Sequence, residues 1–139
     1  MEISNHEIIF QSRGNCDLID LTDRVDAVLR ETGVKTGHVL LFVPGATGGL
    51  TTIEFENGLV KDFRELMQRL IPEGPGYHHD LRWGDGNGHS HLRASLVGPS
   101  LTIPVGEGRL RLGTWQQVVF IDFDNRPRMR SVTVQVCGK

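Results

Sequence analysis

The residues with the densest chemistry lie between Tyr77 and Leu96, in the stretch YHHDLRWGDGNGHSHLRASL. It holds His78, His79, His89 and His91, four of the chain's six histidines. Asp80, Arg82, Trp83, Asp85, Asn87 and Arg93 stand among them, with Gly84, Gly86 and Gly88 between. Imidazoles and carboxylates are the ligands of zinc and similar ions. Glycines let the backbone bend tightly and approach a ligand closely. The stretch therefore reads as a Gly-rich site loop. A solvated loop with surface histidines is the alternative. If His89 and His91 lie on a strand they point the same way and can chelate. On a helix they point about 200° apart, at roughly 100° per residue. His78 reads as exposed, and His38 as a packed or capping residue at a strand start.

Two further stretches carry candidate chemistry. GATGG, Gly45 to Gly49, exposes backbone N–H groups that can hold a phosphate at Thr47 and Gly48, as can the start of a helix near Asn87. Arg93 or Arg82 would add a charged clamp. The stretch lacks the lysine of a P-loop, and a plain turn is the alternative. Glu54 and Glu56 admit a general acid or base role, or a surface pair at a strand end.

The elements that must position these groups follow from periodicity. Glu7 to Ser12 reads as a strand. Asp23 to Thr32 is an amphipathic helix, N-capped by Thr22 and ended by Gly33. His38 to Val43 suits a strand buried on both faces. Leu50 to Phe55 is a strand. Leu59 to Leu70 is the clearest helix, with Leu59, Val60, Phe63, Leu66, Met67 and Leu70 in one core-facing stripe. A short helix spans about Gly88 to Val97. Leu101 to Val105 is a strand placed at an edge or bulge by Pro104. Arg109 to Trp115 and Gln116 to Phe123 are strands or one bent strand, Asp124 to Pro127 a hairpin turn, and Met129 to Cys137 a half-buried strand. The order predicts an α+β fold, mostly antiparallel, with two main helices and a short third, as one domain over residues 1–139.

Composition narrows the classes. A net charge of −2 leaves no basic footprint for nucleic acid. No apolar run approaches the roughly 20 residues of a membrane span. The start, MEISNHEIIF, is neither a signal nor a transit peptide. Cys16 and Cys137 have no metal or redox spacing and read as free thiols. A reduced, cytoplasmic setting is the expectation. Seventeen glycines argue for many tight turns and a substantial strand content.

GTWQ at Gly113 to Gln116 follows LVGPSLTIPVGEGRLRL, and the chain ends in RSVTVQVCG. With NGHSHLRASL at Asn87 to Leu96 and YHHD at Tyr77 to Asp80, the chain resembles the YjbQ-like family, also described as secondary thiamine-phosphate synthases. The resemblance spans essentially the chain from about residue 8. It implies a homotrimer of this α+β fold and a weak transferase activity joining the pyrimidine and thiazole phosphate halves of thiamine phosphate. By match to the family's motifs, His79, Asn87, His91 and Glu54 are the expected catalytic residues. Trp115 and Gln116 would line the pocket, Trp115 stacking on a flat ring, although a core or trimer-interface role is equally open to it. Many members carry a histidine directly after the proline that here is Pro44. This chain has Gly45 and Ala46 there, keeps Thr47, and gains His89. The expectation is that His89 supplies the missing imidazole, so that His79, His89 and His91 hold a divalent metal such as zinc, with Asp80, Asp85 or Glu54 as a further ligand or base. Three protein ligands plus water would make an open, catalytic type of site. The partner expected is a small phosphorylated metabolite. A metal-dependent hydrolase or a metabolite-binding trimer is the alternative function.

Overall fold

The computed structural model describes residues 1–139. Its elements run β1 (Glu2–Ser12), β2 (Asp17–Asp20), α1 (Thr22–Thr32), β3 (Thr36–Phe42), β4 (Gly48–Ile53), α2 (Asn57–Leu70), α3 (His78–Trp83), α4 (Gly88–Val97), β5 (Ser100–Gly106), β6 (Arg109–Leu110), β7 (Gln117–Asp122) and β8 (Arg128–Gly138). Every strand pairing is antiparallel. One sheet has the order β1-β8-β3-β5-β6, the other β2-β7-β4.

The sequence of β7, QVVFID, sets the layering. Alternate side chains of a strand face opposite ways. Val118 and Phe120 enter a core shared with the five-stranded sheet and α1, among Val25, Leu29, Val39, Leu41, Val132 and Val134. Val119 and Ile121, with Phe123 beyond the strand, enter a second core against Met67 of α2 and Ala94 of α4. The smaller sheet is thus the middle layer, which is why β7 is apolar on both faces. Small residues let β4 lie close beneath its neighbours. A Cβ on Gly48 would stand 2.6 Å from the Phe120 ring, and one on Gly49 would stand 2.8 Å from Val97.

Several elements differ from expectation for physical reasons. β1 begins at Glu2, because β8 is long enough to pair it from Glu2↔Gly138 onward. β3 alternates, with Val39 and Leu41 buried and His38 and Phe42 exposed, since only one face of its sheet is covered. Thr22 is the first helical residue and not the cap. Its hydroxyl donates to Asp20 at 2.6 Å and accepts the Val118 N–H at 2.9 Å, fastening α1 to β7. Gly33 ends α1 in the left-handed conformation, as expected. Pro104 accepts from Arg111 N–H at its carbonyl, so its donorless nitrogen faces the short β6 side and costs the β3 ladder nothing.

In α2 only Met67 is buried, while Leu66 and Leu70 are exposed. The helix rests its stripe on the middle sheet along one edge only. Glu56 caps its N-terminus by accepting from the Gly58 and Leu59 N–H groups. Residues 124–127 are not a hairpin turn: β7 and β8 belong to different sheets, and the segment crosses between them. The short helix α4 spans Gly88–Val97 as the sequence indicates, but α3 has no periodic signal and is only six residues long. No helix is long and apolar enough to cross a membrane.

Candidate functional site

The crossing from β7 to β8 brings charge into the gap between the two sheets. Arg130 of β8 grips Asp122 of β7 with two hydrogen bonds, at 2.8 and 2.7 Å, and both side chains are buried. A bidentate, charge-assisted pair of this kind fixes orientation as well as distance. Arg130 also donates to the Thr47 hydroxyl at 2.7 Å, and Thr47 donates on to Asp124 at 3.2 Å. Asp124 further accepts from the Asn125 N–H, the Asn87 amide and Arg128 at 2.9, 3.3 and 3.1 Å. Burial alone would raise its carboxyl pKa. The hydrogen bonds from Asn125, Asn87 and Thr47 and the Arg128 charge outweigh that and hold it below the ordinary carboxylate value. With its oxygens so engaged, Asp124 orients Asn87 and Arg128 and is not itself a base.

The groups it orients border an open cleft of about 450 Å³, within the size range of ligand sites. Thr47, Asp85, Asn87, His91, Arg126 and Arg128 line it with Asp124. Arg126 has no ion-pair partner, so its charge is available to an anion. The Asn87 side-chain oxygen Oδ1 is buried without a hydrogen-bond partner.

The histidine stretch folds as two helices joined at Gly84 and Gly86, which take φ of 68° and 65°. That left-handed turn is open to glycine at little steric cost. It folds Asp85 back toward α3. His79 Nδ1 then lies 3.5 Å from Asp80 Oδ1 and 3.6 Å from Asp85 Oδ1. One ligand atom from each of the three lies within 4.8 Å of the others. These separations are long for hydrogen bonds but close to the edge of a tetrahedral ion site, about 3.4 Å for bonds of about 2.1 Å. One imidazole and two carboxylates also match the donor types of a divalent ion, so the residues fit a metal. Asp80 is held in place because the same oxygen accepts the Gly88 N–H at 2.8 Å. The His91 ring lies beside the set, 4.3 Å from that of His79 between centroids.

The residues singled out from sequence divide between this region and others. Thr47, His79, Asn87 and His91 come together here. His89 does not join a ligand set with His79 and His91, because it lies with His91 inside α4 and so faces another way. It is 2 % exposed, its ring 6.5 Å from that of Tyr77, and its Nδ1 has no partner. Burial first, then the Arg93 charge, lowers its pKa, which keeps it neutral. Arg93 is not a phosphate clamp. It is buried, and it donates to the Ile71 carbonyl at 2.9 Å and to Gln68 at 3.1 Å, tying α4 to the end of α2. Gly48 serves the close approach to Phe120 and not an anion loop. The α4 N-terminus is likewise closed to a phosphate at Gly88, whose N–H Asp80 already holds.

Glu54, Trp115 and Gln116 sit at the other end of β4. Gln116 clasps its own loop, accepting from the Gly113 N–H and donating to Thr52, both at 3.0 Å. Trp115 is 73 % exposed, outside both cores. Glu54 is exposed, one residue past the strand. Cys16 is buried in the second core, which pushes its thiol up to about 11, and Cys137 is also free.

Asp122, Asp124, Arg126, Arg128 and Arg130 were not signalled as site residues, since their segment reads as a turn. The available signal is DFDNRPRMR itself, in which arginines recur at every second position into a strand.

A two-sheet α+β domain with a polar cleft beside a His-Asp-Asp cluster defines the class, and comparison places it. The profile of the family described as "UPF0047 protein YjbQ-like" matches residues 6–139. The chain is 40% identical over 129 residues to a UPF0047 protein of Archaeoglobus fulgidus, covering 93% of this chain and 98% of that one. It is 37% identical over 122 residues to the UPF0047 protein YugU of Bacillus subtilis, covering 88% and 90%. Among solved structures, a YbjQ-like protein of unknown function from Sulfolobus solfataricus P2 superposes with a TM-score of 0.89 at 28% identity, covering 99% and 100%. A hypothetical protein from Aeropyrum pernix K1 gives 0.86 at 32%, covering 100% of both chains. The chain belongs to the YjbQ-like (UPF0047) family.

Proposed function

We propose that the chain acts on a small phosphorylated metabolite, held in the polar cleft by Arg126 and Arg128 against a divalent cation at His79, Asp80 and Asp85. The observation that carries this reading is the spacing of those three donors, one of which, Asp85, lines a cleft that also holds two arginines. A divalent cation there, zinc being suited to the donor set, would polarise a phosphoryl oxygen and offset its charge. Arg126 and Arg128 would bind the remaining phosphate oxygens. His91 borders the cleft and offers an imidazole as a proton-transfer group. Asn87, fixed by Asp124, orients the ligand.

This arrangement is compatible with the transferase reaction the resemblance implies, in which a pyrimidine-methyl group joins a thiazole phosphate and diphosphate departs. A departing diphosphate gains from positive groups placed where its charge develops. It is equally compatible with hydrolysis of a phosphoester, which would use the same cleft with water as nucleophile. The reading takes the setting as cytoplasmic and the assembly as a homotrimer, for which the unpaired edge of β1 and the exposed Trp115 offer surface.

The test is calorimetric titration of inorganic phosphate into zinc-supplied wild type and Arg126→Ala. Loss of one charge-assisted contact predicts at least about tenfold weaker binding in the variant. Equal binding in both proteins would contradict the reading.

A further inference from the structure

The crossing from β7 to β8 does not run alone. β1 stays paired with β8 as far as Ser12↔Arg128, and β2 takes up β7 at Asp17↔Asp122. Between those two ladders Arg13 to Cys16 therefore passes from one sheet to the other beside Phe123 to Pro127. The backbone of this companion segment is left-handed at three successive residues, Gly14, Asn15 and Cys16, with φ of 72°, 54° and 63°. Glycine takes that conformation freely and asparagine tolerates it, but a cysteine there is strained. Strain of this kind persists where the surroundings fix it, and here they do. The Asn15 N–H donates to the Asp124 carbonyl at 2.6 Å, and the Cys16 N–H to the Asp122 carbonyl at 2.8 Å. Arg64 of α2 donates to the Cys16 carbonyl at 3.0 Å, and the Cys16 side chain is buried in the second core. Gly14 is also buried, and its N–H donates to the Ser12 hydroxyl at 3.0 Å. Its Cα lies against the backbone of Arg126, so that a Cβ there would collide with the Arg126 carbonyl oxygen.

We propose that this left-handed loop is the positioning element of the anion site, and that Gly14 is the residue that sets where Arg126 stands. This rests on the phosphate reading above and adds how one of its two arginines is aimed. Arg128 is directed by its own bond to Asp124. Arg126 lines the same cleft, is exposed, and has no ion-pair partner to direct it. Its guanidinium is therefore placed by the backbone that carries it. That backbone has little freedom of its own, because Pro127 follows and restricts the residue before it. A displacement at the Arg126 carbonyl is passed to the side chain and not absorbed locally. Gly14 stands against that carbonyl, while the Asn15 and Cys16 N–H groups fix the crossing on the β7 side. Any larger residue at position 14 would push Arg126 out of its place and would itself be strained at a φ of 72°.

The experiment titrates inorganic phosphate by calorimetry into zinc-supplied wild type, Gly14→Ala, Arg126→Ala and the double variant, with zinc affinity measured separately. Gly14→Ala is expected to weaken phosphate binding at least about fivefold and to change zinc affinity less than about twofold. In the Arg126→Ala background the same substitution is expected to add less than about twofold, because the residue it displaces has lost its guanidinium. A glycine that serves only the fold would weaken phosphate binding equally in both backgrounds, and that result would overturn the assignment. Where Gly14→Ala does not fold, hydrogen exchange of the wild type decides. Saturating phosphate is expected to slow exchange of the Asn15 and Cys16 amides at least about threefold, since both bond the crossing that the ligand holds. Unchanged exchange at both amides would count against the loop. Phosphate binding weakened by Arg126→Ala but untouched by Gly14→Ala would remove this inference alone. A wild type that binds no phosphate would remove the phosphate reading and this inference with it.

Discussion

The two ends of β4 meet different surroundings. At Gly48 the strand begins beside Thr47, which the buried Arg130–Asp122 pair and Asp124 hold from two sides. Five residues later, at Ile53 and about 17 Å along the strand, it ends among exposed groups: Glu54, Phe55 and the Gly113–Gln116 loop. At the first end a charged network fixes Thr47, Asp122, Asp124, Arg128 and Arg130, so side chains from four separate segments converge on one cleft. At the second end the loop is clasped by its own Gln116, and its largest side chain stands in solvent. Candidate residues that look equivalent in sequence therefore differ in kind, according to whether a charged network or only a local turn holds them.

The largest effect expected of this contrast is on stability. Arg130→Leu leaves Asp122 buried without its partner, which costs about 3–5 kcal/mol in chemical denaturation. Replacing both residues by apolar ones should recover most of it. A loss below about 1 kcal/mol for Arg130→Leu would break the claim that this pair joins the sheets.

The pH dependence should come next. Asp124 ionises below its ordinary value of 3.8 in the folded chain, so on acidification the unfolded chain takes the proton first. Its contribution to stability is present above pH 3.8 and fades as pH falls through the folded value. Denaturation curves of Asp124→Asn should lack that part of the acid loss. A curve parallel to wild type below pH 4 would contradict the network. The smallest effect belongs to the other end of β4. Trp115→Ala should change stability by no more than about 0.5 kcal/mol and leave phosphate affinity in the polar cleft unaltered. A clear loss of phosphate binding would show that the two ends act together.

Much of this fold is legible in the sequence, because α1 and β8 declare themselves by period and β7 as a short apolar run. The helix α4 is legible too, from Leu92 and Leu96 and the glycines around it. The site is less so. His79, Asn87 and His91 follow from the density of polar residues and the family motifs, but the grouping of His79 with Asp80 and Asp85 depends on a left-handed turn at Gly84 and Gly86. The sequence allows that turn without requiring it. His89 misleads because its neighbour two places on is in the site, and only helical geometry turns it inward. Arg93 misleads because a buried arginine bonded to a helix end looks the same in sequence as one awaiting an anion. The arginines of DFDNRPRMR pass as a turn until the two strands that flank it prove to lie in separate sheets.

The most direct test of the central claim is zinc binding by equilibrium dialysis, comparing wild type with Asp85→Asn and His89→Gln. About one ion per chain is expected for wild type and for His89→Gln, with at least about tenfold weaker binding for Asp85→Asn. No zinc on the wild type, or loss of zinc with His89→Gln but not with Asp85→Asn, would contradict the assignment of His79, Asp80 and Asp85 as the cation site.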